Sequence, residues 1–421
     1  MPSALSVEGV LTFVTIDNAV RLFGLWCGYC LLFTLYNISP FHPLYGFPGP
    51  KLAAASYLYE AWYDLIRVGR YTAEIKAMHQ RYGPIVRINP HELHCNDYDF
   101  VDEIYPWVAN RIRDKSPHFL AAFAGPLTVS TFLTRDHETH RVPRSAINRF
   151  FSRQGMLRYE PEIHEMAQKM CSKILRLASS GQVSTPINVL DPYNCFTADA
   201  ISQYCFGEPF GFLDRPDFEQ NYKRAFEVLV ATCHIFRHIP VLRHLIGLMP
   251  ALGPYMGPDI AYMVHSMNVT IPNHVIKAQQ AKAGAARRLF AEIMDAPIPH
   301  EHKTIYRLSG EGWSLVGAGA ETTAATLSAI TFFLLSRPER LARLREELKD
   351  EDPQNLSWVQ LERGTAIGMS SYVNHFDEEM FPEPEKYEPE RWIDPHRKPD
   401  HGMEMYILSF SKGSRQCIGM K

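Results

Sequence analysis

The feature that most constrains this chain is a short stretch near its end, FSKGSRQCIG, which begins at Phe410 and ends at Gly419. It places Cys417 in a loop, with Gly413 four residues before it. Glycine at this point lets the backbone turn where a side chain would clash, and the turn can aim backbone N–H groups at the sulfur. Arg415 can pair with a carboxylate, and the phenyl ring can keep water from one side of the thiol. Such a loop suits a single thiolate that binds a large, flat metal cofactor.

The same stretch resembles the haem-binding signature of the cytochrome P450 monooxygenases, F-x-x-G-x-R-x-C-x-G, at all five fixed positions. The resemblance implies that Cys417 is the axial thiolate of haem b (iron protoporphyrin IX), a ligand that favours O–O cleavage. It also implies that four further residues contact the cofactor: Phe410, Gly413, Arg415 and Gly419. A buried structural cysteine is the alternative interpretation. Zinc is disfavoured, because no C-x-x-C pair or nearby histidine completes a set of four ligands.

Composition sets broad limits on the class of protein. The chain has 421 residues, 46% of them hydrophobic, which is enough for one large domain or two ordinary ones. A net charge of −3 gives no sign of a nucleic-acid partner. The eight cysteines lack the spacing of a disulfide scaffold, so we expect a reducing compartment.

The N-terminal region predicts membrane attachment. An apolar run at residues 22–36 is shorter than the roughly 20 residues of a full span, which favours a marginal anchor or an interfacial helix. A cleaved signal peptide is the rival interpretation. The proline-dense stretch 40–50 then predicts a stiff linker. This arrangement is similar to microsomal members of the family, so we expect an anchor in the endoplasmic reticulum membrane and a cytosolic catalytic domain. The predicted domains are an anchor with its flank at 1–39, a hinge at 40–50, and a haem-thiolate domain at 51–421.

Hydrophobic periodicity predicts several further elements. Residues 85–95, IVRINPHELHC, alternate around an Asn-Pro turn and predict a β-hairpin. Helices are predicted over 56–82, over 159–207 with a break at Pro186, and over 337–350.

Residues 136–151 predict a helix that Asp136 caps. His140 and Arg144 are four residues apart and therefore share one helix face. Pro143 is tolerable only if it lies in the first helical turn. A solvated basic face is the alternative interpretation of these side chains. The resemblance favours another role, because the family has an H-x-x-x-R motif here whose members point at the haem propionates.

Residues 313–335 predict a long, mostly buried helix with an unusual centre. Ala318 and Gly319 are small, and Glu321 and Thr322 add a carboxylate and a hydroxyl that are costly to bury without partners. A helix–helix contact through small residues is one interpretation. The stretch also resembles the family's oxygen-activation motif, A/G-G-x-D/E-T. That resemblance implies that the two small residues approach the haem, that the threonine organises hydrogen bonds around dioxygen, and that the glutamate relays protons.

The chain departs from the family's pattern after Arg363, where the sequence passes directly to Gly364. Between the parts of the sequence that end at Arg363 and begin at Gly364, the family has a further helix that carries an E-x-x-R motif. In the family, the glutamate and arginine of this motif bond to the arginine of the PERW segment, here Arg391. The two E-x-x-R matches in this chain, at 138–141 and 388–391, lie elsewhere. Without its partners Arg391 would be unpaired, which is costly if it is buried.

The second departure is at the end of the sequence. It stops at Lys421, four residues past Cys417, where the family continues with a helix that lowers the pKa of the thiol. The predicted fold is therefore mainly α with a small β-sheet, cytochrome P450-like and incomplete at its C-terminus. The haem is expected between the helix at 313–335 and the cysteine loop.

The resemblance implies a haem-thiolate monooxygenase that takes O2 and two electrons from NADPH through NADPH-cytochrome P450 reductase. It would insert one oxygen atom into a lipophilic small molecule, by analogy in fungal secondary metabolism and with terpenoid-like substrates. One alternative is a non-catalytic truncated fragment, or a gene-model artefact at Arg363–Gly364. Another is a haem-thiolate isomerase or dehydratase, against which the Glu321–Thr322 pair argues.

Overall fold

The computed structural model describes residues 16–106, 112–179, 187–218, 223–280, 288–347, 367–378, 380–393 and 403–420. In chain order the first α-helices are α1 Ile16–Asn37, α2 Lys51–Ala55, α3 Leu58–Ala61, α4 Tyr71–Tyr82, α5 Val101–Ile104, α6 Pro117–Ala121, α7 His137–Phe150, α8 Arg153–Ser179 and α9 Leu190–Phe206. They are followed by α10 Lys223–His238, α11 Met249–Leu252, α12 Pro258–His265, α13 Ile271–Gln280, α14 Leu289–Asp295, α15 Ile305–Leu335, α16 Pro338–Glu347, α17 Ser371–His375 and α18 Glu390–Ile393. The strands are β1 Ile85–Arg87, β2 Leu93–Cys95 and β3 Ile367–Gly368. The described part of the chain is mainly helical with one small sheet, as predicted.

The chain divides into two compact units, which are residues 1–104 with 366–382, and residues 105–365 with 383–421. The predicted limits of the anchor and hinge stay predictions. The first unit holds the sheet, in the order β1-β2-β3. The antiparallel pairing of β1 with β2 confirms the predicted hairpin, and β3 adds to β2 in parallel.

Helix α1 contains the predicted apolar run and extends it to 22 residues, which is about 33 Å at 1.5 Å per residue. Its large side chains are exposed, among them Leu25 at 72% and Trp26 at 60%. Within the described residues, only α15 is both long and apolar enough to cross a membrane, and α15 contributes buried side chains to the core. Membrane attachment through α1 therefore stays a prediction.

The proline-dense stretch is fixed to the hairpin through Arg87, which is 2% exposed. The Arg87 backbone N–H donates to the carbonyl of Pro48 at 2.8 Å. Its guanidinium donates to the carbonyls of Asn37 at 3.0 Å and Pro90 at 2.8 Å. A buried arginine needs such partners, because an unpaired charge in the interior is costly.

Helix α15 is the central element of the second unit. It begins at Ile305, eight residues before the predicted start, and Thr304 caps it by accepting a hydrogen bond from the N–H of Arg307 at 3.3 Å. Helix α9 packs along it, and the hydroxyl of Thr197 donates to the carbonyl of Ala320 at 2.9 Å. Buried residues concentrate in the first half of α15, whereas the second half has many exposed residues.

Candidate functional site

The cysteine loop is closed by its own backbone. The N–H of Cys417 donates to the carbonyl of Phe410 at 2.9 Å, and the N–H of Gln416 donates to the carbonyl of Gly413 at 3.0 Å. Cys417 is exposed and Phe410 is 42% exposed. At Gly419 an added Cβ would lie 4.0 Å from the sulfur of Cys417, an ordinary contact. The loop therefore presents its thiol at the surface of the second unit.

Gly413 is required by both conformation and space. Its φ is +73°, in the region that L side chains rarely adopt. An added Cβ would lie 2.7 Å from the carbonyl oxygen of Pro106 and 2.8 Å from that of Tyr105. The glycine thus lets the loop lie directly against the backbone at 105–106, as the sequence predicted for a tight turn.

Helix α7 makes a further contact with this loop. Asp136 caps the helix by accepting a hydrogen bond from the N–H of Thr139 at 2.7 Å, which confirms the predicted cap. Pro143 lies inside the helix, beyond the first turn to which the sequence analysis restricted it. On the same face, Arg144 donates to the carbonyl of Gln416 at 2.5 Å. The predicted basic face is therefore partly buried and reaches the residue before the cysteine.

His140 lies on this face and is 4% exposed. Burial, and then the charges of Arg415, Arg144 and Lys115, lower the pKa of its imidazole to about 3. A neutral imidazole can accept or donate a hydrogen bond near an anionic ligand without adding to the local positive charge.

Arg415 ties the loop to the turn before α7. Its guanidinium donates to the carbonyls of Thr134 and Arg135, each at 2.8 Å. Lys115 lies beside it, donates from Nζ to the carbonyl of Phe132, and lies 4.0 Å from the centre of that ring. Burial, with the charges of Arg415 and Arg144, lowers the pKa of this lysine to about 7.

These cations fit a ligand with carboxylates at its edge. Arg144 and Arg415 each keep a buried Nε that has no hydrogen-bond partner among the described residues. The pKa of Lys115 is depressed first by burial and then by the charges of Arg415 and Arg144, so a nearby anion would favour its charged form. A haem, with a metal that takes a thiolate and with two propionates, matches this donor set.

The residues of the oxygen-activation motif lie on three sides of α15. Ala318 and Thr322 lie on the exposed face, where the threonine hydroxyl donates to the alanine carbonyl at 2.6 Å. A hydroxyl inside a helix commonly makes this bond to the carbonyl one turn earlier. Gly319 faces α9 instead, since an added Cβ would lie 2.9 Å from Ile201. The packing interpretation therefore applies to the glycine, and the alanine and threonine remain available to a ligand.

Glu321 lies on a third side, towards the beginning of α10. Its Oε2 is buried and has no hydrogen-bond partner among the described residues. Burial, and then the charge of Glu227, raise the pKa of the carboxyl, whereas Lys223 opposes the shift. This carboxyl can therefore hold a proton closer to neutral pH than an exposed glutamate does.

Glu311 is a buried carboxylate that the sequence analysis missed, and it lies in the second turn of α15. Its Oε1 accepts from the backbone N–H of Thr131 at 2.7 Å and also from the hydroxyl of the same residue. Arg307 pairs with Oε1 at 3.1 Å. Burial raises the pKa of Glu311, and Arg307 and Thr131 oppose that shift. The signal that could have revealed it is the i, i+4 pair of Arg307 and Glu311 behind the Thr304 cap.

Arg391 has partners that the sequence did not suggest. Its Nη2 donates to the carbonyls of Glu383 at 3.1 Å and Lys386 at 3.2 Å, within its own segment. The expectation of an unpaired Arg391 is therefore wrong, because nearby backbone carbonyls replace the missing side chains. Residues 348–366, which include the Arg363–Gly364 junction, lie outside the described residues.

Comparison with known proteins identifies the chain's relatives. A family model described as Cytochrome P450 matches residues 61–357 and 354–421. The two matched segments meet at 354–357, shortly before the junction at which the sequence analysis places a missing helix.

Three similar fungal proteins illustrate the relationship. Cytochrome P450 monooxygenase ppzE of Metarhizium majus is 35% identical over 445 aligned positions, covering 90% of this chain and 92% of the relative. Tryptophan 6-hydroxylase fscE of Fusarium equiseti is 32% identical, covering 100% and 89%. Conidiogenone synthase PchP450 of Penicillium rubens is 33% identical, covering 94% and 87%. Since 445 positions exceed the 421 residues of this chain, the first alignment includes positions at which this chain has no residue.

Proposed function

Since the chain belongs to the cytochrome P450 family, we propose that it is a haem-thiolate monooxygenase in which Cys417 binds the iron of haem b. The reaction inserts one oxygen atom from O2 into a lipophilic small molecule. The observation that carries this proposal is the convergence of Arg144, Arg415 and Lys115 beside the exposed loop of Cys417.

The residues of the loop and of α7 would hold the cofactor, which supplies the oxygen-activating chemistry of the family when bound. Arg144 and Arg415 would each turn a partnerless Nε, and Lys115 its ammonium, towards the propionates. Pairing with carboxylates restores the charged form of the lysine, because an opposite charge nearby favours ionisation. Gly413 lets the loop pack closely against the backbone at 105–106, and the thiol of Cys417 remains exposed.

The motif on α15 would accept hydrogen bonds through Thr322 and donate protons from Glu321. The hydroxyl proton of Thr322 is committed to the carbonyl of Ala318, so its Oγ1 presents lone pairs and accepts hydrogen bonds on the exposed face. Burial raises the pKa of the Glu321 carboxyl, so this carboxyl can hold a proton nearer to neutral pH than an exposed glutamate can. A protonated carboxyl is a suitable donor for a positioned acid–base role.

The same proposal includes partners and location. Two electrons come from NADPH through NADPH-cytochrome P450 reductase, and α1 attaches the protein to the endoplasmic reticulum membrane with its catalytic part in the cytosol. The exposed apolar side chains of α1 support the attachment.

The substrate class is the least constrained part of the proposal. One relative is named for tryptophan and another for conidiogenone, so membership of the family does not define the substrate. We propose a lipophilic compound of fungal secondary metabolism, and terpenoid-like compounds are the class to test first.

A haem-thiolate isomerase or dehydratase is the second candidate function. Such a reaction needs no proton delivery, whereas Glu321 combines burial, a raised pKa and a partnerless oxygen. These properties favour the monooxygenase. A chain that folds but binds no haem would support the third interpretation, a non-catalytic fragment.

The carbon monoxide difference spectrum of the dithionite-reduced 421-residue protein tests the proposal. We expect the red-shifted Soret band of a thiolate-ligated ferrous carbonyl for the native sequence and its loss in Cys417→Ser. The matched control is Cys171→Ser, which changes another exposed thiol, on α8. Absence of the band in folded native protein would contradict the proposal, as would its persistence in Cys417→Ser.

A further inference from the structure

The segment that precedes the cysteine loop, residues 383–393, is held by ion pairs to α16. Arg340 lies with Nη2 3.1 Å from Oε1 of Glu388 and 3.3 Å from Oε2 of Glu390. Arg343 pairs with the second of these carboxylates at 3.3 Å. The side chain of Arg340 is only 19% exposed, so its pairs are less screened than those of a surface arginine.

Contacts of a different kind fix the orientation of the same segment. The carbonyl of Tyr387 accepts hydrogen bonds from both Arg337 and Arg340. The ring of Tyr387 stacks on Phe333 of α15, with centroids 4.7 Å apart and an interplanar angle of 4°. Charge pairs, backbone hydrogen bonds and ring stacking therefore act on three residues of this segment: Tyr387, Glu388 and Glu390.

The contacts of this segment differ from the network that the family resemblance implied. There, a glutamate and an arginine of a separate helix hold Arg391. Here Arg391 bonds to carbonyls of its own segment, and the inter-element contacts are made by the glutamates on either side of Pro389.

We propose that Arg340, through Glu388 and Glu390, braces the segment 383–393 and thereby positions the loop of Cys417. Arg340 is a positioning residue, because it acts through this segment and not on the thiol itself. Residues 394–402 connect the braced segment to the loop, and fixing one end of a short connection limits the positions that its other end can reach. Only the spectroscopic part of the test below rests on the proposed function.

Hydrogen–deuterium exchange of the haem-free protein tests the brace directly. In Arg340→Ala we expect exchange about tenfold faster, the effect of losing charge-assisted hydrogen bonds, both in 383–393 and in 403–420. Arg340→Lys should show a smaller increase, since lysine keeps the charge but loses the planar fork. The matched control is Arg345→Ala, an exposed arginine in the last turn of α16.

A second variant keeps the test informative if Arg340→Ala fails to fold. Glu388→Gln combined with Glu390→Gln removes the same charge pairs from the other side. It should reproduce the accelerated exchange, and adding Arg340→Lys to it should have little further effect, because the coupled partners are already gone. Unchanged exchange in 383–393 would disprove the brace. Acceleration confined to 383–393, with 403–420 unaffected, would disprove the positioning of the cysteine loop.

The spectroscopic readout separates this proposal from the function. In haem-loaded protein we expect Arg340→Ala to lower the fraction of reduced carbonyl complex that shows the thiolate-type Soret band, and Arg340→Lys to restore part of it. An undiminished band would count against the positioning role. If the native chain takes up no haem, the proposed function fails while the exchange experiment still decides the brace.

Discussion

Arg144 donates a hydrogen bond of 2.5 Å to the backbone carbonyl of Gln416, the residue before Cys417. The two residues are 272 positions apart in the sequence. Arg415 adds a second link, to the carbonyls of Thr134 and Arg135. Two arginine side chains therefore link the cysteine loop to this part of the chain. Arg144 reaches the loop from α7, and Arg415 reaches from the loop to the turn before α7.

Replacing Arg144 should weaken haem retention. A hydrogen bond to a charged group contributes about 1.5–3 kcal/mol, so Arg144→Ala should speed haem transfer to a scavenger protein about tenfold or more. Arg141→Ala is the control, because that side chain is 69% exposed and pairs with Glu138 on the helix surface. Equal transfer rates in the two variants would contradict the proposed contact with the cofactor.

Gly413 and Gly211 form a matched pair of substitutions. Both have positive φ, +73° and +76°, but an added Cβ meets backbone oxygens only at Gly413. Gly211→Ala should cost about 1–2 kcal/mol from the backbone conformation alone. Gly413→Ala should cost about 1–3 kcal/mol more, because the neighbouring backbone must shift. Urea unfolding of both variants measures the difference, and equal losses would rule out the steric part.

Removing Glu311 should destabilise the second unit. Glu311→Ala leaves Arg307 buried without its carboxylate, and breaking a buried pair in this way costs about 3–5 kcal/mol. Glu301→Ala, at a side chain 78% exposed, should change the free energy of unfolding by less than about 0.5 kcal/mol. A loss below about 1 kcal/mol for Glu311→Ala, from denaturant unfolding curves, would show that the pair is not effectively buried.

Lys115 should give the haem-free protein an unusual pH dependence of its folding stability. Its folded-state pKa of about 7 lies below the ordinary value of 10.5, so the unfolded chain binds more protons between these values. Stability should therefore rise with pH from about 7 towards 10, relative to Lys115→Met. Lys51→Met, at an exposed lysine, should keep the native dependence. Thermal unfolding at several pH values measures this, and parallel curves for native protein and Lys115→Met would contradict it.

Thr322→Ala should uncouple NADPH consumption from product formation. The variant loses the acceptor oxygen on the exposed face of α15, and an acid–base contribution of this kind is worth about 100-fold or more in rate. Thr326→Ala is the control, since its hydroxyl makes the same back-bond one turn later, to the carbonyl of Thr322 at 2.8 Å. An unchanged ratio of product to NADPH in Thr322→Ala would contradict the proposed role.

Several elements could be predicted because their determinants are local. The hairpin at 85–95 follows from alternation around a turn, and Asp136 caps α7 as its position indicates. The predicted start of α15 lies eight residues too late, at the beginning of the apolar run, and it leaves out polar residues such as Glu311. Their partners, above all Thr131, lie too far along the chain for any periodicity to reveal.

The sequence by itself determined the family, the mainly helical fold and the candidate thiolate, because turn glycines, helix caps and the spacing of the cysteine motif act within a few residues of the chain. Only the tertiary structure decided which side chains meet. It separated Gly319, packed on α9, from Thr322 on the exposed face, and it brought Arg144 to Gln416 and Arg340 to Glu388. Burial and charge pairing depend on which distant segments meet in three dimensions, and a linear pattern does not contain that information.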